Sequence, residues 1–207
     1  MRLPPARSTN FIAAVTVISY GLVIVLGLEG VVDRIGGFIP ARLSGLIDEP
    51  GALPVWLTPL SATLLHGGAL HIAFNMLMLL YCGRMVEAVA GPFGIAVLYV
   101  AGAYAAAIAQ YLIGPSEVVP MIGASGAVSA LFGAYALLYS RPRLFAANPR
   151  LGALFNIAWL AVAWIGVQFL MGVAFSDLGM SIATAAHVGG FLIGLALIRP
   201  LMNVRRA

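Results

Sequence analysis

Gly123-Ala124-Ser125-Gly126 sets a serine among small residues at the head of an apolar run that continues to about Tyr139, and Gly114, Pro115 and Pro120 break the chain just upstream. A serine becomes a nucleophile only when a neighbouring group can take its proton. The chain has three histidines, His66, His71 and His187, each in or at the entrance to a long apolar stretch, and Asn75 accompanies them. Ionisable side chains at membrane depth are costly and are functional candidates by default. Ser125 with His187 has the makings of a nucleophile and a general base. His71, Asn75 and the backbone N–H of Ser125 at a helix N-terminus would supply donors for a developing oxyanion. Neither apolar stretch carrying Ser125 or His187 contains Asp or Glu. Asp177 stands ten residues before His187, about 15 Å along a helix. The pattern is therefore a dyad rather than a triad, with the histidine tautomer held by packing or a backbone carbonyl.

Each of these residues also has a plainer reading. Gly, Ala and Ser in a membrane helix let backbones approach closely, and Gly123-Ala124-Ser125-Gly126 alone would be read that way. Three histidines could bind zinc, as in a metal or proton transporter, but no acid joins them and asparagine is a poor zinc ligand. No metal and no cofactor is expected. Gln110, Asn156 and Gln168 read most simply as hydrogen bonds between helices, with Gln168 a further candidate for lining a substrate entrance. Cys82 is a packing residue, and a single cysteine excludes an internal disulfide.

The elements that must position these groups follow from composition. The 207 residues are 62% hydrophobic and 9% charged, with mean hydropathy +1.03. A water-facing shell needs far more charge, so the class is an integral membrane protein. One domain is expected over residues 1–207, because no polar linker divides the chain. The hydropathy predicts six spans near residues 11–28, 68–83, 93–113, 124–139, 151–173 and 182–201, an all-α bundle. The first is too long, and Glu29-Gly30-Val31 too poor a cleavage site, for a signal peptide. Residues 30–55 are polar yet hold Phe38, Ile39, Leu43 and Leu46, and are expected to fold against the membrane surface.

The net charge of +4 comes from arginine, for the chain has no lysine. It is read as topology rather than as nucleic-acid binding. With both termini cytoplasmic, only Arg34 and Arg42 of the eleven arginines fall on the outer side. In that arrangement the second, fourth and sixth spans all begin at the outer face. His71 with Asn75, Ser125, and His187 then lie at similar depth on three parallel helices. His71 and Asn75, four apart, share one helix face; His66, five before His71 and separated by Gly67-Gly68, stands at the helix entrance. Gly190 and Gly194 thin one face of the last span for a close helix contact. The fourth span is short, about 24 Å, so its N-terminus lies below the surface. The irregular backbone before it, residues 114–122, must be buried in protein or face water.

These residues resemble the rhomboid intramembrane serine proteases. The matching motifs are His66-x4-His71-x3-Asn75, Gly123-Ala124-Ser125-Gly126, and Ala186-His187-x2-Gly190-x3-Gly194, with Gly83-Arg84-x2-Glu87-x3-Gly91 after the second span. They run in the family's order from roughly Trp56 to Ile198. The resemblance implies a six-helix fold with a water-filled cavity open to the outside, Ser125 as nucleophile and His187 as base. It implies an oxyanion site of His71, Asn75 and the Ser125 amide, and a structural hydrogen-bonding role for His66. Substrates would be membrane-spanning segments of other proteins, entering from the lipid bilayer and cut near the outer surface. A catalytically silent relative that binds or escorts membrane proteins is the alternative; it would normally have lost Ser125 or His187, and both are present. A compact chain of this kind is expected in a prokaryotic cytoplasmic membrane. Two positions depart from the family's pattern. Trp56 is followed by Leu57 where an arginine is usual, with the spacing to His66 off by one. Ser129 stands where many members carry a tyrosine that packs under the catalytic histidine.

Overall fold

The computed structural model of the chain describes residues 4–139, 149–175 and 183–206. Among these the regular structure is helical, apart from one isolated antiparallel bridge between Phe38 and Met121. The main helices are α1 (Arg7–Leu26), α2 (Glu29–Gly36), α3 (Ala69–Met78), α4 (Arg84–Ile113), α5 (Ser125–Tyr139), α6 (Pro149–Phe175) and α7 (Thr184–Arg206). Single turns form at Pro40–Leu43 and Thr58–Ser61, and a π turn, Leu79–Gly83, carries α3 into α4.

Arg7–Leu26, Ala69–Ile113, Arg150–Val167 and Thr184–Arg205 are long and apolar enough to cross a membrane, and Ser125–Tyr139 is a shorter apolar helix. The 45 residues of Ala69–Ile113 form two limbs, because Gly91 leaves the helical region at φ 75° and ψ 176° and Pro92 follows it. The chain is an integral, multi-pass membrane protein with an all-α bundle.

The first of those limbs runs past residue 83, where the sequence pattern places the end of the second span. Gly83 is helical, and a Cβ on it would lie 2.8 Å from Thr9 Cγ2. That glycine lets α1 approach; the turn comes at Gly91. The first helix begins at Arg7 rather than near Phe11 and ends at Leu26, closed by Gly27 in the left-handed conformation (φ 64°).

Helix α5 is the centre of the bundle. Gly126 to Ala134 are all buried, which requires neighbours on every side. Small residues make the contacts. Gly102 and Gly126 face Ala130 and Ala106, so the second limb of α4 runs antiparallel to α5; Gly190 and Gly194 lie against the carbonyls of Gly126 and Ala130, so α7 runs parallel to it. With lipid outside, close packing of this kind is what joins the helices.

Residues 37–41 fold into protein rather than along a surface. Phe38 and Ile39 are buried, Phe38 N–H donates to Met121 O at 3.0 Å, Met121 N–H donates to Phe38 O at 2.8 Å, and Ala41 N–H donates to Glu117 O at 2.9 Å. These bonds, with Gly123 N–H to Ala62 O at 2.8 Å, hold the irregular strand that leads into Ser125. Without them its buried backbone polar groups would be orphaned.

Candidate active site

Ser125 opens α5, and His187 lies in the first turn of α7. Because α5 and α7 run parallel and touch through glycines, their N-termini lie side by side. Ser125 Oγ is 2.8 Å from His187 Nε2. For the serine hydroxyl to donate across this contact, Nε2 must be unprotonated and Nδ1 must carry the proton. His187 Nδ1 is buried and has no hydrogen-bond partner among the described residues. Asp177 lies outside the described residues.

His71 reaches the same place from α3. Its Nδ1 accepts the N–H of Gly67 at 3.4 Å, which leaves Nε2 as the protonated nitrogen. A Cβ built on Gly123 would stand 2.7 Å from His71 Nε2 and 3.8 Å from Ser125 Oγ, so the donor and the hydroxyl flank one point. Asn75, one turn further along α3, is buried and donates from Nδ2 to the His71 carbonyl at 2.9 Å. One of its two amide hydrogens is thus spent on fixing the turn that carries His71. The N–H of Ser125, in the first turn of α5, has no acceptor within its own helix.

His66 sits behind this group. Its Nε2 accepts the N–H of Ala124 at 3.4 Å, and its ring meets His71 edge to face at 5.0 Å. Burial pushes the His66 pKa down to about 3, so the ring stays neutral and can accept. Gly123 has φ 111°, a left-handed value suited to glycine. Among the described residues no group of three or more His, Cys, Asp or Glu is placed to hold a metal.

Of the other polar residues, Gln110 finds its partner away from Ser125 and His187, and Ser129 finds one on Ser125 itself. Gln110 Nε2 donates to Glu117 Oε2 at 2.7 Å, in the loop before α5 rather than on another span. Asn156 has a partner, and the Gln168 side chain lies outside what the structure describes. Cys82 is a buried free thiol. Trp56 is exposed, and its carbonyl accepts the Tyr104 hydroxyl at 2.9 Å. Ser129, at the family's tyrosine position, donates from Oγ to the Ser125 carbonyl at 2.7 Å and accepts the Trp164 indole N–H at 2.8 Å. Trp164 was not singled out by sequence, because a tryptophan in an apolar run does not reveal a partner 35 residues away.

A family model described as Rhomboid domain matches residues 54–204. The chain belongs to the rhomboid family. It is 35% identical over 138 residues to the rhomboid protease GlpG of Pectobacterium atrosepticum, covering 66% of this chain and 45% of that protein. It is 34% identical over 151 residues to GlpG of Serratia proteamaculans, covering 72% and 49%. Against GlpG of Yersinia pestis it is 33% identical over 146 residues, covering 70% and 48%. The chain spans about half the length of the curated relatives it matches.

Proposed function

We propose that the chain is an intramembrane serine endopeptidase that hydrolyses peptide bonds in or near transmembrane segments of other proteins through a Ser125–His187 dyad. The observation that carries this reading is the 2.8 Å approach of Ser125 Oγ to His187 Nε2 on two helices that start side by side. The similarity to rhomboid proteases of bacteria supports it.

In this mechanism Ser125 Oγ attacks the carbonyl carbon while its proton passes to His187 Nε2. The carbonyl oxygen becomes an oxyanion beside His71 Nε2–H, the Ser125 N–H and the remaining Asn75 amide hydrogen. Donors already aimed at that charge need no reorganisation, and each is worth about 100- to 1000-fold in rate. The imidazolium then gives its proton to the leaving amine. Water, deprotonated by His187, releases the acyl group from Ser125. His66, Gly123 and Gly126 shape the turn that presents the hydroxyl, and Gly190 and Gly194 bring α7 close enough for His187 to reach it.

Substrates on this reading are transmembrane proteins reached through the lipid bilayer, cut where small residues let the helix unwind. The arginine distribution supports both termini on the cytoplasmic side, and the bacterial relatives support a prokaryotic cytoplasmic membrane. The test is cleavage of a transmembrane reporter in reconstituted vesicles. Wild type is expected to cut it with EDTA present, and Ser125→Ala and His187→Ala to leave it intact. Equal cleavage by Ser125→Ala would refute the assignment, and a wild type that binds the reporter without cutting it would favour the silent escort.

A further inference from the structure

Trp164 and Ser129 form a two-bond chain that ends on the residue carrying the nucleophilic hydroxyl. The indole N–H of Trp164 donates to Ser129 Oγ at 2.8 Å, and Ser129 Oγ donates to the Ser125 carbonyl at 2.7 Å. The Ser129 oxygen therefore receives one hydrogen bond and gives one, which fixes its proton in a single direction. A donor bond into Oγ also polarises the hydroxyl and strengthens the bond it gives. Both residues are buried.

The indole also stacks on two other rings. It stacks on Phe132 of α5 at 4.9 Å and 25°, and on Phe74 of α3 at 5.8 Å and 19°. Phe74 is the neighbour of Asn75. Among the described side chains of α6, Trp164 is the large one that is buried; Leu154, Trp159, Val162 and Phe169 are exposed. One ring thus ties α6 to the two helices that carry His71, Asn75 and Ser125.

Among the described residues, Nε2 is the one hydrogen-bonded ring nitrogen of His187. Its Nδ1 has no hydrogen-bond partner, and no aromatic ring stacks on the imidazole, among the described residues. A histidine base is ordinarily oriented by the bond its second nitrogen makes. On the serine side the described residues supply a tether, in the first turn of α5. That turn is clamped by the Ser129 bond, and Ser129 Cβ lies 3.1 Å from where a Cβ on Gly190 would stand, at the seam with α7.

We propose that Ser129 is a positioning residue for the peptidase reaction, with Trp164 its obligatory partner: together they hold Ser125 in line with His187. This rests on the peptidase reading. The role is filled by hydrogen bonding, in a position where a tyrosine ring packs in many relatives of the family pattern.

The test is the second-order rate constant for fluorophosphonate labelling of Ser125, per folded molecule, in Ser129→Ala, Trp164→Phe and the double variant. Trp164→Phe keeps the stack and the Ser129 hydroxyl and removes only the N–H, so it serves even where Ser129→Ala fails to fold. Each single variant is expected to label about three- to tenfold more slowly, the equivalent of one buried hydrogen bond. Reporter cleavage should lose kcat by a similar factor with KM unchanged. The double variant should label no more slowly than Ser129→Ala, because the indole N–H has nothing left to donate to. Trp164→Phe labelling at the wild-type rate, or losses that multiply in the double variant, would overturn the inference while wild-type labelling kept the peptidase reading intact. A wild type that never labels at Ser125 would overturn both.

Discussion

The imidazole of His71 fills the space in which a side chain on Gly123 would stand: a Cβ there would lie 2.7 Å from both Cε1 and Nε2 of the ring. Gly123 also has φ 111°, strained for any residue with a Cβ. Gly123→Ala is expected to push His71 away from Ser125 and to lower reporter turnover by about 100-fold or more, the worth of one oxyanion donor. Turnover near the wild-type value would show that His71 has no part in the reaction.

Asn75 braces the backbone that carries the same ring, donating to the His71 carbonyl at 2.9 Å. Asn75→Ala removes that brace and the second amide hydrogen together. A slow enzyme is expected, with kcat down about 100- to 1000-fold and Ser125 still open to fluorophosphonate, because the dyad is intact. An undiminished kcat removes Asn75 from the site.

Glu87 closes the start of α1 from across the bundle. Its carboxylate accepts the N–H of Ser8 at 3.0 Å, the N–H of Thr9 at 2.8 Å and the Thr9 hydroxyl at 2.7 Å. A carboxylate at a helix N-terminus satisfies donors the helix cannot and matches its dipole. Glu87→Ala should destabilise the fold by about 2 to 3 kcal/mol, the range for buried bonds to a charged group. Thermal unfolding in detergent reads this directly. The labelling rate of Ser125 in the protein that remains folded should not change, since the Glu87 carboxylate bonds to Ser8 and Thr9 and not to Ser125 or His187.

His66, in the loop before α3, links stability to pH. Its folded pKa, near 3 through burial, is below the value of 6.5 it has when exposed. Between those values the unfolded chain binds a proton that the folded one does not, so stability rises with pH. The contribution is complete above about pH 6.5 and is lost progressively as pH falls toward 3. His66→Gln keeps an acceptor for the Ala124 N–H but does not titrate. Its melting temperature should fall less than that of wild type between about pH 7.5 and 5; parallel declines would show that His66 does not carry this term.

How much of this was legible in the sequence depends on range. Ser125, His187, His71 and Asn75 stood out because polar groups in apolar stretches have few other reasons to be there, and the long apolar helices followed from hydropathy. Gly83 misled because a glycine that admits a neighbouring helix, here at Thr9, looks the same in sequence as one that ends a helix. Gly91 shows its purpose only through its φ of 75°. The pairing of Phe38 with Met121 and the bond from Trp164 to Ser129 join residues far apart in the chain, and neither hydropathy nor period encodes such contacts. Ser129 was visible as a departure from the family pattern, but its partner was not.

The most direct measurement is mapping of a fluorophosphonate adduct by mass spectrometry on the wild-type protein in membranes, with Ser125→Ala and His187→Ala beside it. The account predicts a single adduct on the peptide containing Ser125, absent from Ser125→Ala and reduced by at least about 100-fold in His187→Ala, because an unassisted serine hydroxyl is a poor nucleophile. Labelling of Ser125 that proceeds equally well without the His187 imidazole would contradict it.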